Sequence, residues 1–289
     1  PTPLVMAQLE DQSDVIGRIL AIQALSKNKS QKTIDALRQC LASDPFHGVR
    51  MEAADALKSI HTEEALDALL ESSVQSDARV RLRVQSAIGG FYNPRALESA
   101  MKTIRSESNP TIINTAMRSL SGYGNSGIDS ILLQYLREPS YRNTHAESAI
   151  AAMEKQDNPV FIIPILETLM ERKGLFSTRG MVNALSSLAY LGRHQDDKSM
   201  LLSFIAGRLQ DPKSAVRSGA IRALATLRDP KAIAILEKWM SADSDSPEYK
   251  AAQTAINNLR KMALPGEDLK GLRNKIQTME SDQKLMHTN

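Results

Sequence analysis

Four aspartate and arginine couples recur along this 289-residue chain: Asp14 with Arg18, Asp44 with Arg50, Asp77 with Arg81, and Asp211 with Arg217. A guanidinium offers five donors in a rigid fork, and a carboxylate accepts two of them side by side. Two chemistries fit such couples. One is a structural ladder in which each arginine knits neighbouring turns by bonding aspartates. The other is a cationic track for an anion or phosphate. Because the aspartates recur together with the arginines, the ladder is the expected use.

Other reactive side chains do not assemble into a recognisable centre. His47, His61, His145, His194 and His287 include no H-E-x-x-H pair that would set two imidazoles on one helix face for zinc. His194, Gln195, Asp196 and Asp197 form the nearest thing to a ligand cluster and read as a solvated turn. Cys40 is the only cysteine, which excludes an internal disulfide and a thiolate cage, and it reads as a small core residue of a helix. Residues 122–127 are glycine-rich but lack the lysine of a phosphate loop and follow a helix, so they read as a turn. No Ser, His and Asp set carries a nucleophile motif. The expectation is a chain with no catalytic residue, no metal and no cofactor of its own.

Composition narrows the partners. With 36 basic and 33 acidic residues the net charge is +3, a weak footprint for a nucleic-acid binder. The cluster of Arg79, Arg81 and Arg83 has no aromatic neighbour to stack bases, since the only tryptophan, Trp239, lies far along the chain. No stretch approaches the roughly 20 apolar residues of a membrane span, so neither nucleic acid nor membrane insertion is expected. Cytoplasm and periplasm are both compatible with these features. The chain starts at Pro1 without a leader and reads as a fragment.

The elements that position these residues are read from a repeat. The run Asp44-Pro45-Phe46-His47-Gly48-Val49-Arg50 through Leu57 aligns without a gap on Asp211-Pro212-Lys213-Ser214-Ala215-Val216-Arg217 through Leu224. Its last apolar position recurs as Leu25, Leu57, Ile88, Leu120, Ile150, Leu188, Leu224 and Ile256, at intervals of 30 to 38 residues. The residue before it is always small: Ala24, Ala56, Ala87, Ser119, Ala149, Ser187, Ala223 and Ala255. Three further back stand Ala21, Ala53, Val84, Ala116, Ala146, Ala184, Ala220 and Ala252. Small side chains at helical spacing let second helices nest closely.

First helices are amphipathic, as in Ile34, Leu37 and Leu41, or Leu97, Met101 and Ile104. Pro45, Pro110, Pro139, Pro212 and Pro247 fall in the turn before a second helix or at its first position. The fold class expected is all-α, a right-handed α-solenoid of about eight HEAT-like hairpins over residues 1–264, with a capping helix and frayed tail over residues 265–289. Curvature is left open, since the longer connections near residues 173–178 and 192–198 could kink the array.

The position two past the turn valine, on the outward side of the second helices, adds one surface feature. Ile19, Met51 and Leu82 are apolar there, whereas later copies carry Asn114, Thr144, Ser218 and Lys250, with Val182 the exception. Such a strip is either a partner-facing patch or sideways packing between repeats.

Asp14-Val15-Ile16-Gly17-Arg18-Ile19, the Asp44 to Ala53 run, and Asp77-Ala78-Arg79-Val80-Arg81 resemble, in that order, the C-terminal HEAT-like domain of bacterial zinc aminopeptidases of the aminopeptidase-N type. The resemblance covers about the first hundred residues. The segment Leu269-Lys270-Gly271-Leu272-Arg273-Asn274-Lys275 also resembles the closing helix of such proteins. It implies a non-catalytic domain that walls off a catalytic chamber and limits peptide access. Zinc would then sit in an upstream catalytic domain, held by an H-E-x-x-H motif beside a G-A-M-E-N loop, and neither motif occurs here. That domain would be the partner, and Ile19, Met51 and Leu82 would face it. His47 departs from the aromatic usual before Gly-Val-Arg in that family. The other reading is a free-standing repeat scaffold that binds another protein.

Overall fold

The computed structural model describes residues 3–124, 126–172, 174–242, 246 and 248–263. Among these residues there are sixteen α-helices and no strand. They pair in order as α1 (Pro3–Glu10) with α2 (Val15–Leu25), α3 (Gln31–Ser43) with α4 (His47–Ile60), α5 (Glu63–Glu71) with α6 (Ala78–Ile88), and α7 (Pro94–Ser106) with α8 (Pro110–Ser119). Then follow α9 (Ser126–Arg137) with α10 (Thr144–Gln156), next in sequence α11 (Ile162–Glu171) and α12 (Thr178–Gly192), then α13 (Ser199–Gly207) with α14 (Ser214–Leu227), and α15 (Lys231–Ala242) with α16 (Tyr249–Ala263). The chain forms two compact units that divide after Thr168. In the first, α2, α4, α6, α8 and α10 pack one on the next; in the second, α12, α14 and α16 do the same.

Helix boundaries follow from local chemistry. Asp14, Ser30, Thr62, Asp77, Asn93, Asn109 and Ser177 each accept a backbone N–H of the first turn, satisfying a donor the helix cannot use. Pro94 and Pro110 stand at first helical positions, where no N–H is needed. Three second helices end on residues in the left-handed region, His61 (φ 55°), Asp157 (φ 52°) and Arg228 (φ 56°). Each returns its N–H to the last turn, at Leu57, Glu154 and Ala225. Pro45 and Pro212 lie in the turns before α4 and α14, and Pro139 in the connection that leads to α10. Pro247 and the segment 265–289 lie outside the described residues, as does Lys173.

Packing follows the small-residue columns. Leu25, Leu57, Ile88, Leu120, Ile150, Leu188, Leu224 and Ile256 are all buried, and so are Ala21, Ala53, Val84, Ala116, Ala146, Ala184, Ala220 and Ala252. Ala56, Ala87, Ala149, Ser187, Ala223 and Ala255 are buried beside them. Ser119 is half-buried, and Ala24 is exposed on α2, whose second-helix neighbour in the unit is α4 alone. In α7 the buried stripe is Ala96, Ala100 and Ile104, so Leu97 and Met101 sit half-buried on its border, one position round from the expected stripe. A stripe over 100° wide accommodates either register, and the smaller alanines allow the closer approach.

Two contacts fix the second unit. A Cβ on Gly192 would meet Leu201 Cδ1 at 2.2 Å, so only glycine lets the end of α12 lie this close to α13. Lys198 donates from Nζ to the carbonyls of Arg193, Leu227 and Arg228 at 2.7, 2.9 and 3.3 Å. One ammonium therefore holds the carbonyl ends of α12 and α14, where a cation also complements both helix dipoles. Lys198→Met removes three donors while keeping much of the apolar stem. It is expected to cost about 1 to 2 kcal/mol in urea-induced unfolding, discounted for partial solvent access. A change below about 0.3 kcal/mol would show that water replaces the ammonium without loss.

Candidate functional site

The arginines act in one way throughout the second helices. Each donates from Nη1 to carbonyls of the turn that precedes its own helix: Arg18 to Asp11 O (2.8 Å), Arg81 to Gln75 O (2.9 Å) and Ser76 O (3.0 Å), and Arg217 to Asp211 O (3.0 Å) and Pro212 O (3.2 Å). Arg50 does the same to Asp44 O and Pro45 O. The other side of the fork reaches forward to the next repeat. Arg18 Nε and Nη2 meet Asp44 at 2.8 and 3.2 Å, Arg81 meets Glu107 at 2.9 and 3.4 Å, and Arg217 Nη2 lies 2.9 Å from Glu248.

Of the carboxylates in that relay, Asp44 is one expected from the recurring couples, and Glu107 and Glu248 are not. Asp14, Asp77 and Asp211 do not bridge to Arg18, Arg81 or Arg217 through their side chains. They are spent on backbone N–H groups of Gly17, Arg79 and Lys213. Asp77, the aspartate that spacing would offer Arg50, is gripped by Arg79 at 2.6 and 3.1 Å, which holds its carboxyl well below the usual range. Sequence reasoning missed Glu107 and Glu248. The hydrogen bond from Arg81, against a smaller cost of burial, likewise holds Glu107 below its ordinary value.

Arg18 is the extreme member, 1% exposed against an Asp44 that is also buried. With both charges matched and held bidentately, neither is open to an outside anion.

Ile19, Met51 and Leu82 are all half-buried. Ile19 and Met51 pack against the core of the first unit. The apolar side chains left in solvent on α2 are Ile16 and Leu20, 71% and 59% exposed, one turn apart on its outer face. Their apolar spacing is that of a core stripe, which conceals them in the sequence.

Cys40 is partly covered, and burial together with Asp44 pushes its thiol up to about 11, so it is not a thiolate near neutrality. His145 is buried against Asn114, Nδ1 to Oδ1 2.8 Å, with the Tyr135 ring edge-on at 5.4 Å; burial holds its imidazole below the ordinary value. It is a neutral core residue. The turn that begins at Gly122 is tied to the preceding repeat by its tyrosine. Tyr123 Oη accepts from Asn93 N (3.0 Å) and donates toward Phe91 O (3.1 Å), while its ring stacks on Tyr92 at 4.8 Å. Among the described residues no group of His, Cys, Asp and Glu is placed to hold a metal ion. None of the described helices is long and apolar enough to cross a membrane.

The outward stripes of the second helices differ between units. In the first, Gln23 donates to Glu52 (3.0 Å) and Arg83 lies 3.5 Å from Asp55, so neighbouring helices answer each other's polar groups. In the second, Thr178, Arg179, Val182, Ala215, Ser218 and Arg222 line an open groove of about 490 Å³ between α12 and α14.

Residues 2–88 and 181–257 match the family described as HEAT repeats. No curated protein matches the sequence closely enough to count. Among solved structures the chain is similar to the E. coli protein YibA, at 19% identity and a TM-score of 0.61, over 90% of this chain and 92% of that one. It is also similar to the karyopherin Kap121p in complexes with the extreme C-terminus of the protein phosphatase Cdc14p (14% identity, TM-score 0.67, 90% of this chain) and with Ste12p (14%, 0.65, 88%). The chain spans about a third of the karyopherin's length. At such identities the likeness concerns the fold.

Proposed function

Because this chain belongs to the HEAT-repeat family, we propose that it is a helical scaffold for protein–protein interaction and that its work is recognition, with no chemistry of its own. The observation that carries this is the pair Ile16 and Leu20, two large apolar side chains left in water one turn apart on α2, beside the half-buried Ile19. Adjacent exposed apolar side chains on a helix whose inner face is already packed favour an apolar partner surface. The karyopherin of like fold is itself bound to protein ligands, Ste12p and a segment of Cdc14p, which supports the same kind of use here.

The test is site-specific photo-cross-linking of the intact chain in cells. A benzophenone side chain at position 16 or 20 should give a protein adduct of defined mass. The same group at Glu64, on the first-helix side, should give none. Equal adducts from both positions would defeat the proposal.

The narrower reading makes the partner the catalytic domain of an aminopeptidase-N-type enzyme, with Ile19, Met51 and Leu82 turned toward it. It rests on sequence resemblance alone, over the first hundred residues and the segment 269–275, whereas the family match is to HEAT repeats and the structural likenesses concern the fold. Peptides of a zinc peptidase in the adduct would establish it.

A further inference from the structure

We propose that the exposed face of α12, α14 and α16 receives an extended acidic segment of a partner protein. This rests on the reading of the chain as an interaction scaffold and names the chemistry of one ligand. The three helices contain no aspartate or glutamate, and they carry Arg179, Arg217, Arg222, Lys250, Arg260 and Lys261. Two of the six are committed, Arg217 to Glu248 and Arg260 to Glu237 on the α15 side. Arg179, Arg222 and Lys250 are exposed, and among the described residues none of them has a hydrogen-bond or ion-pair partner.

Four acidic groups described near these helices already have partners within the unit. Asp211, Asp229 and Asp197 accept backbone N–H groups of Lys213, Lys231 and Ser199, and Glu248 takes Arg217. Among the described residues the side chains of Arg179, Arg222 and Lys250 thus keep an unmatched positive charge, unlike the first unit, where Asp55 lies beside Arg83.

The occupant follows from what lies between the charges. Arg179 and Arg222 flank a groove whose other lining is Thr178, Ser218, Val182 and Ala215. Hydroxyls beside short apolar side chains suit a peptide backbone with small or apolar residues alternating with carboxylates. A single-stranded nucleic acid draws much of its affinity from rings stacked beneath its bases, and the groove lining has none. The chain's own residues 264–289 balance four acidic against four basic side chains and are not an acidic segment.

The test uses the full-length chain and a fluorescein-labelled peptide of tandem Asp-Glu-Ser-Leu units, followed by anisotropy. The wild-type chain should bind it saturably. R179E/R222E should weaken binding by about tenfold or more, gain affinity for the same peptide with Lys-Arg in place of Asp-Glu, and keep its melting temperature, since both side chains are exposed. R222A alone should leave the melting temperature unchanged and weaken binding by a smaller factor.

The proposal is overturned if the wild-type chain ignores the acidic probe, or if R179E/R222E binds it as well as wild type. It is also overturned if an oligo-dT of equal charge binds more tightly and is the ligand lost in the variant. The photo-cross-link at position 16 lies in the other unit, so its success or failure is read independently.

Discussion

Arg18→Ala is expected to lower the stability of the first unit by about 3 to 5 kcal/mol, because it leaves Asp44 charged and buried without its bidentate partner and frees the Asp11 carbonyl. The comparison that isolates the cause is a double variant, Arg18→Met with Asp44→Leu. Removing both charges leaves nothing uncompensated, so most of the loss should return. Urea unfolding followed by circular dichroism reads both. If Arg18→Ala costs under about 1 kcal/mol, water reaches Asp44 freely and the buried relay does not hold the turns. Arg81→Ala provides the graded control. Its partner Glu107 and Arg81 itself are both more accessible, and the loss should be clearly smaller.

Leu120→Ala is expected to cost about 2 to 5 kcal/mol, the range for opening a cavity at a fully buried leucine. Leu120 caps α8 and begins the tight turn Leu120–Gly122, so its side chain closes the interior where that turn leaves the helix. Stacked repeats unfold by segments and need not unfold as one body, so a global melt can understate a local loss. Amide exchange is the better measurement, and the lost protection should appear in α8 and α10, which pack together, before it appears in α2. Unchanged exchange in α8 would contradict the assignment of Leu120 to the interior.

The contrast between these two residues shows which parts of the molecule are legible in the sequence. Burial at Leu120 is announced by a column of apolar residues at intervals of 30 to 38, because stacking imposes the same shape on every second helix. The small-residue columns are legible for the same reason. The partner of Arg81 is hidden only by its residue type, since Glu107 stands 13 residues before Leu120 as Asp44 stands 13 before Leu57, and a search for recurring aspartates passes it over. Of the aspartates that do recur, Asp44 meets the arginine of the neighbouring turn, whereas Asp14, Asp77 and Asp211 serve mainly their own helix starts. An aspartate just before a helix is drawn first to the backbone N–H groups there, which are nearer than any arginine.

Charge is hidden in another way. A net value of +3 averages over both sides of every hairpin, and α12, α14 and α16 show how a nearly balanced chain can hold one face free of carboxylates. Ile16 and Leu20 illustrate the limit of periodicity, because the same apolar spacing that marks an interior also marks a surface awaiting a neighbour.

The forward reach of Arg18, Arg81 and Arg217 gives these units a direction. Each turn lends its carbonyls to its own arginine but must wait for the following hairpin to supply the anion. On a ribosome the chain emerges amino end first, so each of these three hairpins passes through a period with half of that fork empty, and its successor is what locks it. A nascent chain that has emerged only as far as residue 43 should therefore leave the first hairpin loosely held and open to proteases, whereas emergence of a few more residues, once Asp44 is delivered, should close it.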